Sequence, residues 1–180
     1  MIKDLVIRAY VFAQKAHKGQ KRKFTNLPYF THCKGVARIA EQMTKDPIIV
    51  AAGLLHDVLE DCKITHDTLS KKFGPDVAHL VLEVTNDPVL KKHFGKAVYL
   101  AEKWKCMCGK AITLKLCDRL HNVMHLENDS VPRAFAEKYV FETLHIMQEL
   151  QATRLLTDVQ QILFDTIMAH TKMIRVKHGI

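Results

Sequence analysis

The segment from residue 51 to residue 59 is almost entirely apolar, yet it contains adjacent His56 and Asp57 and continues into Glu60 and Asp61. A segment this apolar is typical of a buried helix. Moving a carboxylate and an imidazole out of water costs several kcal/mol unless each finds a partner. A divalent metal ion is a common partner for a neutral histidine beside an ionised aspartate. The chain must therefore fold so that compensating groups reach this segment.

Two further candidate ligands lie elsewhere in the chain. His32 is near the start of a predicted helix, and Asp118 stands between Leu116 and Leu120 in another apolar segment. We expect both side chains to turn inward, toward the central histidine and aspartate. A histidine, a histidine–aspartate pair and an aspartate, in that order on separate helices, are typical of a metal hydrolase with two imidazole and two carboxylate ligands.

Less specific interpretations of the same residues stay open. The central pair alone could form a buried hydrogen-bonded contact, and Asp118 could pair with Arg119 or Arg22. His121 follows Asp118 by three residues and is a competing ligand. Asn122, one helical turn beyond Asp118, could face the same cavity.

Helical spacing of apolar residues dominates the chain, and strand signals are scarce. The length of 180 residues and a hydrophobic content of 48% fit one domain, residues 1–180, around one core. We therefore predict a single-domain, all-α bundle of about eight or nine helices. Asp46-Pro47 predicts the start of the helix that carries the central ionisable cluster. The other predicted helices cover residues 3–18, 31–43, 65–73, 76–85, 109–127, about 132–150 and 155–174, and residues 90–104 show a weaker helical period.

The cysteine pattern and the absence of long apolar runs indicate the cellular compartment of the protein. No apolar run approaches the ~20 residues of a membrane span, and no signal peptide is evident, so we expect a soluble, cytoplasmic protein. Five irregularly spaced cysteines argue against a disulfide framework. A zinc site built from Cys106, Cys108, Cys117 and His121 is a minor alternative, because structural zinc sites normally use regular pairs.

The formal net charge of +8 has two interpretations. It either describes a solvated basic surface or serves an anionic ligand, such as a nucleic acid or a nucleotide polyphosphate. The chain has no recognition-helix signature, no interleaved aromatic and basic strand pattern and no basic tail. Nucleic acid is therefore the less favoured partner.

Several motifs of the chain match those of one family. Those that carry ionisable candidate residues are the segment 13–23, which ends in Arg22-Lys23, the segment Pro28-Tyr29-Phe30-Thr31-His32, the segment 52–61 and the segment 114–122, and shorter matches lie at 35–37, 73–77 and 142–146. These motifs resemble HD-domain metal-dependent phosphohydrolases. The resemblance is closest to the (p)ppGpp hydrolase domain of RelA/SpoT-type alarmone enzymes and to small alarmone hydrolases. It covers about residues 3–150.

The resemblance implies roles for residues of these motifs. The ligands of one manganese ion, or of another divalent transition metal, are implied to be His32, His56, Asp57 and Asp118. Glu60 and Asp61 are implied to position and activate the attacking water. Arg22 and Lys23 are implied to stack on guanine and to contact phosphate, and Asn122 to contact the nucleotide. The implied reaction is hydrolysis of guanosine 3′,5′-bispyrophosphate at its 3′ position, with release of pyrophosphate.

The chain departs from the family pattern in two loops. Phe24-Thr25-Asn26-Leu27 follow the Arg-Lys pair, and residues 86–93 lack the usual charged run. Because these loops border the expected substrate pocket, other interpretations remain. One is an HD phosphohydrolase for another nucleotide, such as a nucleotidase, a cyclic-nucleotide phosphodiesterase or an NADPH phosphatase. Another is a catalytically silent nucleotide-binding module.

Overall fold

Helices account for the regular structure of the chain. The computed structural model describes residues 2–180, and side chains from residue 4 onward. Within that part of the chain the only β-type pairing is a single bridge between Lys21 and Pro28, so the predicted all-α class is confirmed. In chain order the helices are α1 (Ile2–Ala16), α2 (Phe30–Thr44), α3 (Pro47–Leu55), α4 (Val58–Asp61), α5 (His66–Phe73), α6 (Pro75–Val84), α7 (Pro88–Phe94), α8 (Lys96–Cys106), α9 (Gly109–His125), α10 (Arg133–Thr153) and α11 (Asp158–His178).

Two predicted helices are each divided in the structure. The helix that begins at Asp46-Pro47 ends at Leu55, and His56 and Asp57 form a turn before the short α4. The weakly periodic region at 90–104 is broken at Gly95, whose φ of +78° lies in the left-handed region that favours glycine. These two breaks explain why the described chain has eleven helical segments where about eight or nine helices were expected.

Helix α3 forms the centre of the core. The Asp46 side chain accepts a hydrogen bond from the backbone N–H of Ile48, which caps the helix, and Pro47 occupies its first position. Every residue from 49 to 55 is buried. Gly53 allows α2 to approach closely, because a Cβ at this position would lie 3.2 Å from the Ala37 Cα atom. The close packing of α2 on α3 sets the distance between the ionisable residues that the two helices carry.

Helix α11 belongs to the same core. It packs along α9 and α10, and its first turn has a capping box formed by Thr157 and Gln160. The Gln160 side-chain amide also donates hydrogen bonds to the Gly109 carbonyl at 2.9 Å and to the Thr113 hydroxyl at 3.1 Å. The last helix therefore stabilises the position of α9, which carries Asp118.

None of the helices described between residues 2 and 180 combines the length and the apolar character that crossing a bilayer requires.

The packing of α11 generates a stability prediction. Ile167 is fully buried in this helix, and we expect Ile167→Ala to lower the free energy of unfolding by about 2–5 kcal/mol in urea titrations. The matched control is Ile162→Ala on the same helix, where the side chain is 55% exposed and the expected change is below about 0.5 kcal/mol. Equal, small effects at both positions would contradict a structural role for α11.

Candidate metal centre

The turn between α3 and α4 directs the ring of His56 into the protein. Its Nδ1–H donates a hydrogen bond of 2.8 Å to the Gly53 carbonyl, which leaves Nε2 unprotonated in the neutral ring. Nε2 is buried and has no hydrogen-bond partner of acceptable geometry. Because Nδ1 is bound to a carbonyl, Nε2 is the ring nitrogen that a metal ion would bind after loss of its proton.

Three other side chains, His32, Asp57 and Asp118, lie around this nitrogen. His56 Nε2 lies 3.0 Å from Asp57 Oδ2 and 3.8 Å from Asp118 Oδ1. His32 Nε2 lies 3.2 Å from Asp118 Oδ1 and 3.7 Å from Asp57 Oδ2. One ligand atom from each of His32, His56 and Asp118 lies within 4.8 Å of the others. Two imidazoles and two carboxylates form a mixed nitrogen and oxygen donor set that fits a divalent transition metal.

Three neighbouring side chains fix the carboxylates. The Tyr29 hydroxyl donates a hydrogen bond of 2.7 Å to Asp57 Oδ2. The Lys115 ammonium donates to Asp118 Oδ2 at 3.0 Å, and the Asn122 amide donates to Asp118 Oδ1 at 2.7 Å. Such contacts orient metal ligands before any ion binds.

His121 lies on the opposite side of the His32 ring from the centre. The two Nδ1 atoms are 3.0 Å apart, so His121 can accept the His32 Nδ1–H and leave His32 Nε2 free to bind a metal. Burial, followed by the charges of His32 and Arg22, lowers the pKa of His121 to about 3, so this ring stays neutral. The arrangement makes His121 a support for His32, in contrast to the hypothesis that it competes as a ligand.

The charges of the centre compensate one another. Burial alone would raise the pKa of Asp57, but the attraction of His56 outweighs it and holds this pKa well below its ordinary value. Burial would likewise raise the pKa of Asp118, but the attraction of Lys115 outweighs it, and this pKa is also strongly lowered. Burial lowers the pKa of His56, but Asp57 and then Asp118 raise it to about 9. Burial lowers the pKa of His32. The structure therefore holds two ionised carboxylates whose side chains are only 16% and 15% exposed.

A cavity of about 320 Å³ opens beside the centre and contains the predicted substrate-binding residues. Arg22 donates from Nη2 to Asn122 Oδ1 at 3.3 Å, while its Nη1 is buried without a partner. Lys23 also lines the cavity. An unsatisfied guanidinium nitrogen beside a metal centre suits an anionic ligand oxygen.

Glu60 and Asp61 line an adjoining cavity of about 630 Å³, which shares Asn86 with the first cavity. Glu60 Oε1 accepts hydrogen bonds from the Asn86 backbone N–H at 2.7 Å and from its side-chain amide at 2.9 Å. Burial, and then repulsion by Asp57, raises the pKa of Asp61. The sequence predicted these two carboxylates on the same helix as His56 and Asp57. They lie instead on the separate α4, because the chain turns at His56 and Asp57.

Comparison with known proteins identifies the family. A family model described as "HD domain" matches residues 9–157, which is most of the chain. The chain belongs to the HD-domain family. A relative from Xenopus tropicalis, named guanosine-3′,5′-bis(diphosphate) 3′-pyrophosphohydrolase MESH1, is 37% identical over 141 residues. That alignment covers 77% of this chain and 78% of the relative.

Other similar proteins differ in length. A probable GTP diphosphokinase, RSH3, from the chloroplast of Arabidopsis thaliana is 34% identical over 154 residues, or 82% of this chain. The chain spans only about a fifth of that relative's length, since the alignment covers 21% of it.

A solved structure of a metazoan ortholog of SpoT, described as hydrolysing ppGpp, matches with a TM-score of 0.79 and 27% identity. The match covers 92% of this HD domain and 94% of that chain.

Several residues around this HD-domain site were missed by sequence reasoning. Tyr29 and Lys115 contact the two carboxylates, and Asn86 contacts Glu60. The signal for Lys115 was its place between two leucines, three residues before Asp118. Cys33 also lies near the centre, but burial raises the pKa of its thiol and keeps it protonated.

The alternative zinc site is not assembled in the described part of the chain. Cys106 and Cys108 are exposed and Cys117 is buried in the core. The groups of potential metal ligands found among the described residues include none of these cysteines.

The charge balance of the HD-domain centre predicts a pH dependence of metal affinity. Because the pKa of His56 is about 9, a cation that binds near neutral pH must displace its proton. We expect the apparent association constant for Mn²⁺ to rise about tenfold per pH unit between about pH 6.5 and 8, as the competing proton becomes scarcer. Calorimetry in two buffers of different ionisation enthalpy measures the released proton. A pH-independent affinity without proton release would contradict the charge state assigned to His56.

The contact between His32 and His121 generates a second prediction. A Cβ at Gly35 would lie 2.0 Å from His121 Nε2, so Gly35→Ala must displace that ring. We expect metal affinity to fall about 10- to 100-fold while the helical circular dichroism is retained. Gly109→Ala is the control, because a Cβ at that position would meet nothing within 4 Å. Unchanged metal affinity in Gly35→Ala would show that His121 does not support the ligand.

Proposed function

We propose that this HD domain hydrolyses guanosine 3′,5′-bispyrophosphate at its 3′ position and releases pyrophosphate, with Mn²⁺ as the metal. We assign His32, His56, Asp57 and Asp118 as the ligands. The observation that carries the proposal is the convergence of His32, Asp57 and Asp118 around the buried Nε2 of His56. The proposal is supported by the activity for which the similar proteins from Xenopus tropicalis and from a metazoan are named.

The cavity favours a polyphosphate substrate. Arg22 has a buried, unsatisfied Nη1, and Lys21, Lys23 and Lys115 line the same space. These cations would bind phosphate oxygens, and Arg22 would also stack on a planar base. Asn122, which already contacts Arg22 and Asp118, would orient the nucleotide relative to the metal centre. The cavity thus provides a use for part of the net charge of +8.

We assign proton transfer to the carboxylates of α4. Attack of water on the phosphorus bonded to the ribose 3′ oxygen breaks that P–O bond and leaves GDP and pyrophosphate. The raised pKa of Asp61 suits it to take the proton of the attacking water, and Glu60, fixed by Asn86, orients that water. A bound divalent metal would polarise the phosphoryl oxygen and acidify the water. The proton on Asp61 can then pass to the leaving 3′ oxygen.

We place this activity in the cytoplasm. The structure describes all five cysteines as free thiols, as expected in a reducing compartment. The partner is a small nucleotide polyphosphate. No nucleic-acid partner is included, because the sequence shows no recognition-helix signature and no basic tail.

The proposal predicts the behaviour of one conservative ligand variant. Asp57→Asn keeps the shape of the side chain but removes the charge, and we expect Mn²⁺-dependent release of pyrophosphate to fall at least about 100-fold. Chromatography identifies the products from a panel of guanosine and adenosine polyphosphates, cyclic nucleotides and NADPH. The control is Asp67→Asn, whose side chain is 87% exposed and lines neither cavity, and which should retain full activity.

Each alternative function has its own outcome in this assay. Turnover of another nucleotide in preference to the bispyrophosphate would assign a different HD phosphohydrolase. Nucleotide binding without turnover in Mn²⁺ would assign a silent binding module. Full activity in Asp57→Asn would reject the proposed centre.

A further inference from the structure

The cavity beside the metal centre is lined by two chemically different groups of residues. One group is charged and includes His32, Asp57 and Asp118. The other group is apolar or aromatic and includes Phe24, Leu126, Phe135 and Tyr139. A ligand that fills such a cavity must itself combine a highly charged part with a flat or apolar part.

Three of the apolar residues form a continuous row of rings. The rings of Phe24 and Phe135 meet edge to face, with centroids 4.8 Å apart and an interplanar angle of 65°. Phe135 and Tyr139 are nearly parallel, with centroids 6.1 Å apart and an interplanar angle of 29°. The row extends from the loop after Arg22-Lys23 to helix α10. The loop and the helix are far apart in sequence, so the aromatic wall exists only in the folded chain.

The position of Phe24 is difficult to explain by stability alone. Its φ of +69° lies in the left-handed region, which a bulky residue rarely adopts, and 37% of the residue remains exposed. The loop is held by a backbone hydrogen bond of 2.8 Å from the Arg22 N–H to the Leu27 carbonyl. An exposed ring on a strained backbone is a feature of functional sites. Here the ring faces the cavity that contains the unsatisfied Arg22.

The other end of the row is also fixed. The Arg119 guanidinium lies 4.7 Å from the centroid of the Tyr139 ring, and the Lys96 ammonium lies 5.1 Å from it. These two cations lie over the face of the Tyr139 ring. Among the described residues, no charged group lies over the ring of Phe24 or of Phe135. The two phenylalanines are therefore the part of the wall that is available to a flat ligand.

We propose that Phe24 and Phe135 form a binding subsite for the purine base of the substrate, and that Phe24 contributes directly to nucleotide affinity. The inference rests on the proposed function and extends it to Phe24, at which this chain departs from the family pattern, and to its neighbour Phe135. Aromatic rings bind the π face of a base, and removal of one such ring typically weakens binding by about 1–3 kcal/mol per base, or roughly 5- to 150-fold. The subsite complements the charged contacts of Arg22 and Lys23.

Binding measurements on the metal-free protein test the subsite without requiring turnover. NMR titrations with GDP and with ribose 5-phosphate compare a ligand that has a base with one that lacks it. We expect Phe24→Ala to weaken GDP binding about tenfold and to leave ribose 5-phosphate binding unchanged. Phe24→Trp, which restores a large ring, should recover GDP binding. The control is Leu27→Ala on the same loop, where an apolar side chain that is 51% exposed does not line the cavity.

Kinetics on the Mn²⁺-loaded protein separate the two proposals. Phe24→Ala should raise the KM for guanosine 3′,5′-bispyrophosphate about tenfold, with a much smaller change in kcat. Unchanged GDP binding in Phe24→Ala would overturn the subsite. An equal loss of affinity for GDP and for ribose 5-phosphate would also overturn it, because Phe24 would then only maintain the conformation of the loop. A base-dependent loss of binding in a protein that does not hydrolyse the bispyrophosphate would support the subsite and reject the proposed function.

Discussion

The compensation of buried charge is the constraint on which this fold depends. Asp57 and Asp118 both approach His32 and His56 within an interior that is otherwise apolar. Two ionised carboxylates in such a place repel each other and lose hydration, so they persist only where cations and donors surround them. The structure meets this requirement with Lys115 and protonated His56, and a bound divalent cation would meet it without the proton. Local stability and metal affinity are therefore linked through the same few groups.

The positions of the four candidate ligand side chains are well defined because packed helices carry them. His32 lies in the first turn of α2, Asp118 lies in the middle of α9, and the central pair follows the buried helix α3. Close packing at Gly53 sets the spacing of α2 and α3, and the space at Gly35 admits the ring of His121. Both glycines act by their lack of a side chain, at positions where no other residue fits without moving a neighbour.

The mixed lining of the cavity relates the metal centre to substrate recognition. The charged residues can bind phosphate oxygens and the aromatic residues can bind a base, so a nucleotide polyphosphate complements both groups. Glu60 and Asp61 line the adjoining cavity, which shares Asn86 with this one, and Asn86 donates two hydrogen bonds to Glu60. The proposed proton-transfer residues are therefore connected with the cavity through Asn86.

The sequence by itself determined the helical class and the residue types that gather at the candidate site. Ionisable residues within apolar segments, such as His56 or Asp118, are visible as local exceptions to a helical pattern. Only the tertiary structure decided which atoms meet: the turn after Leu55, the support of His32 by His121, and the pairing of Phe24 with Phe135. The physical reason is that a local pattern reports whether a residue is buried, whereas contacts between distant segments depend on how helices pack and where they end.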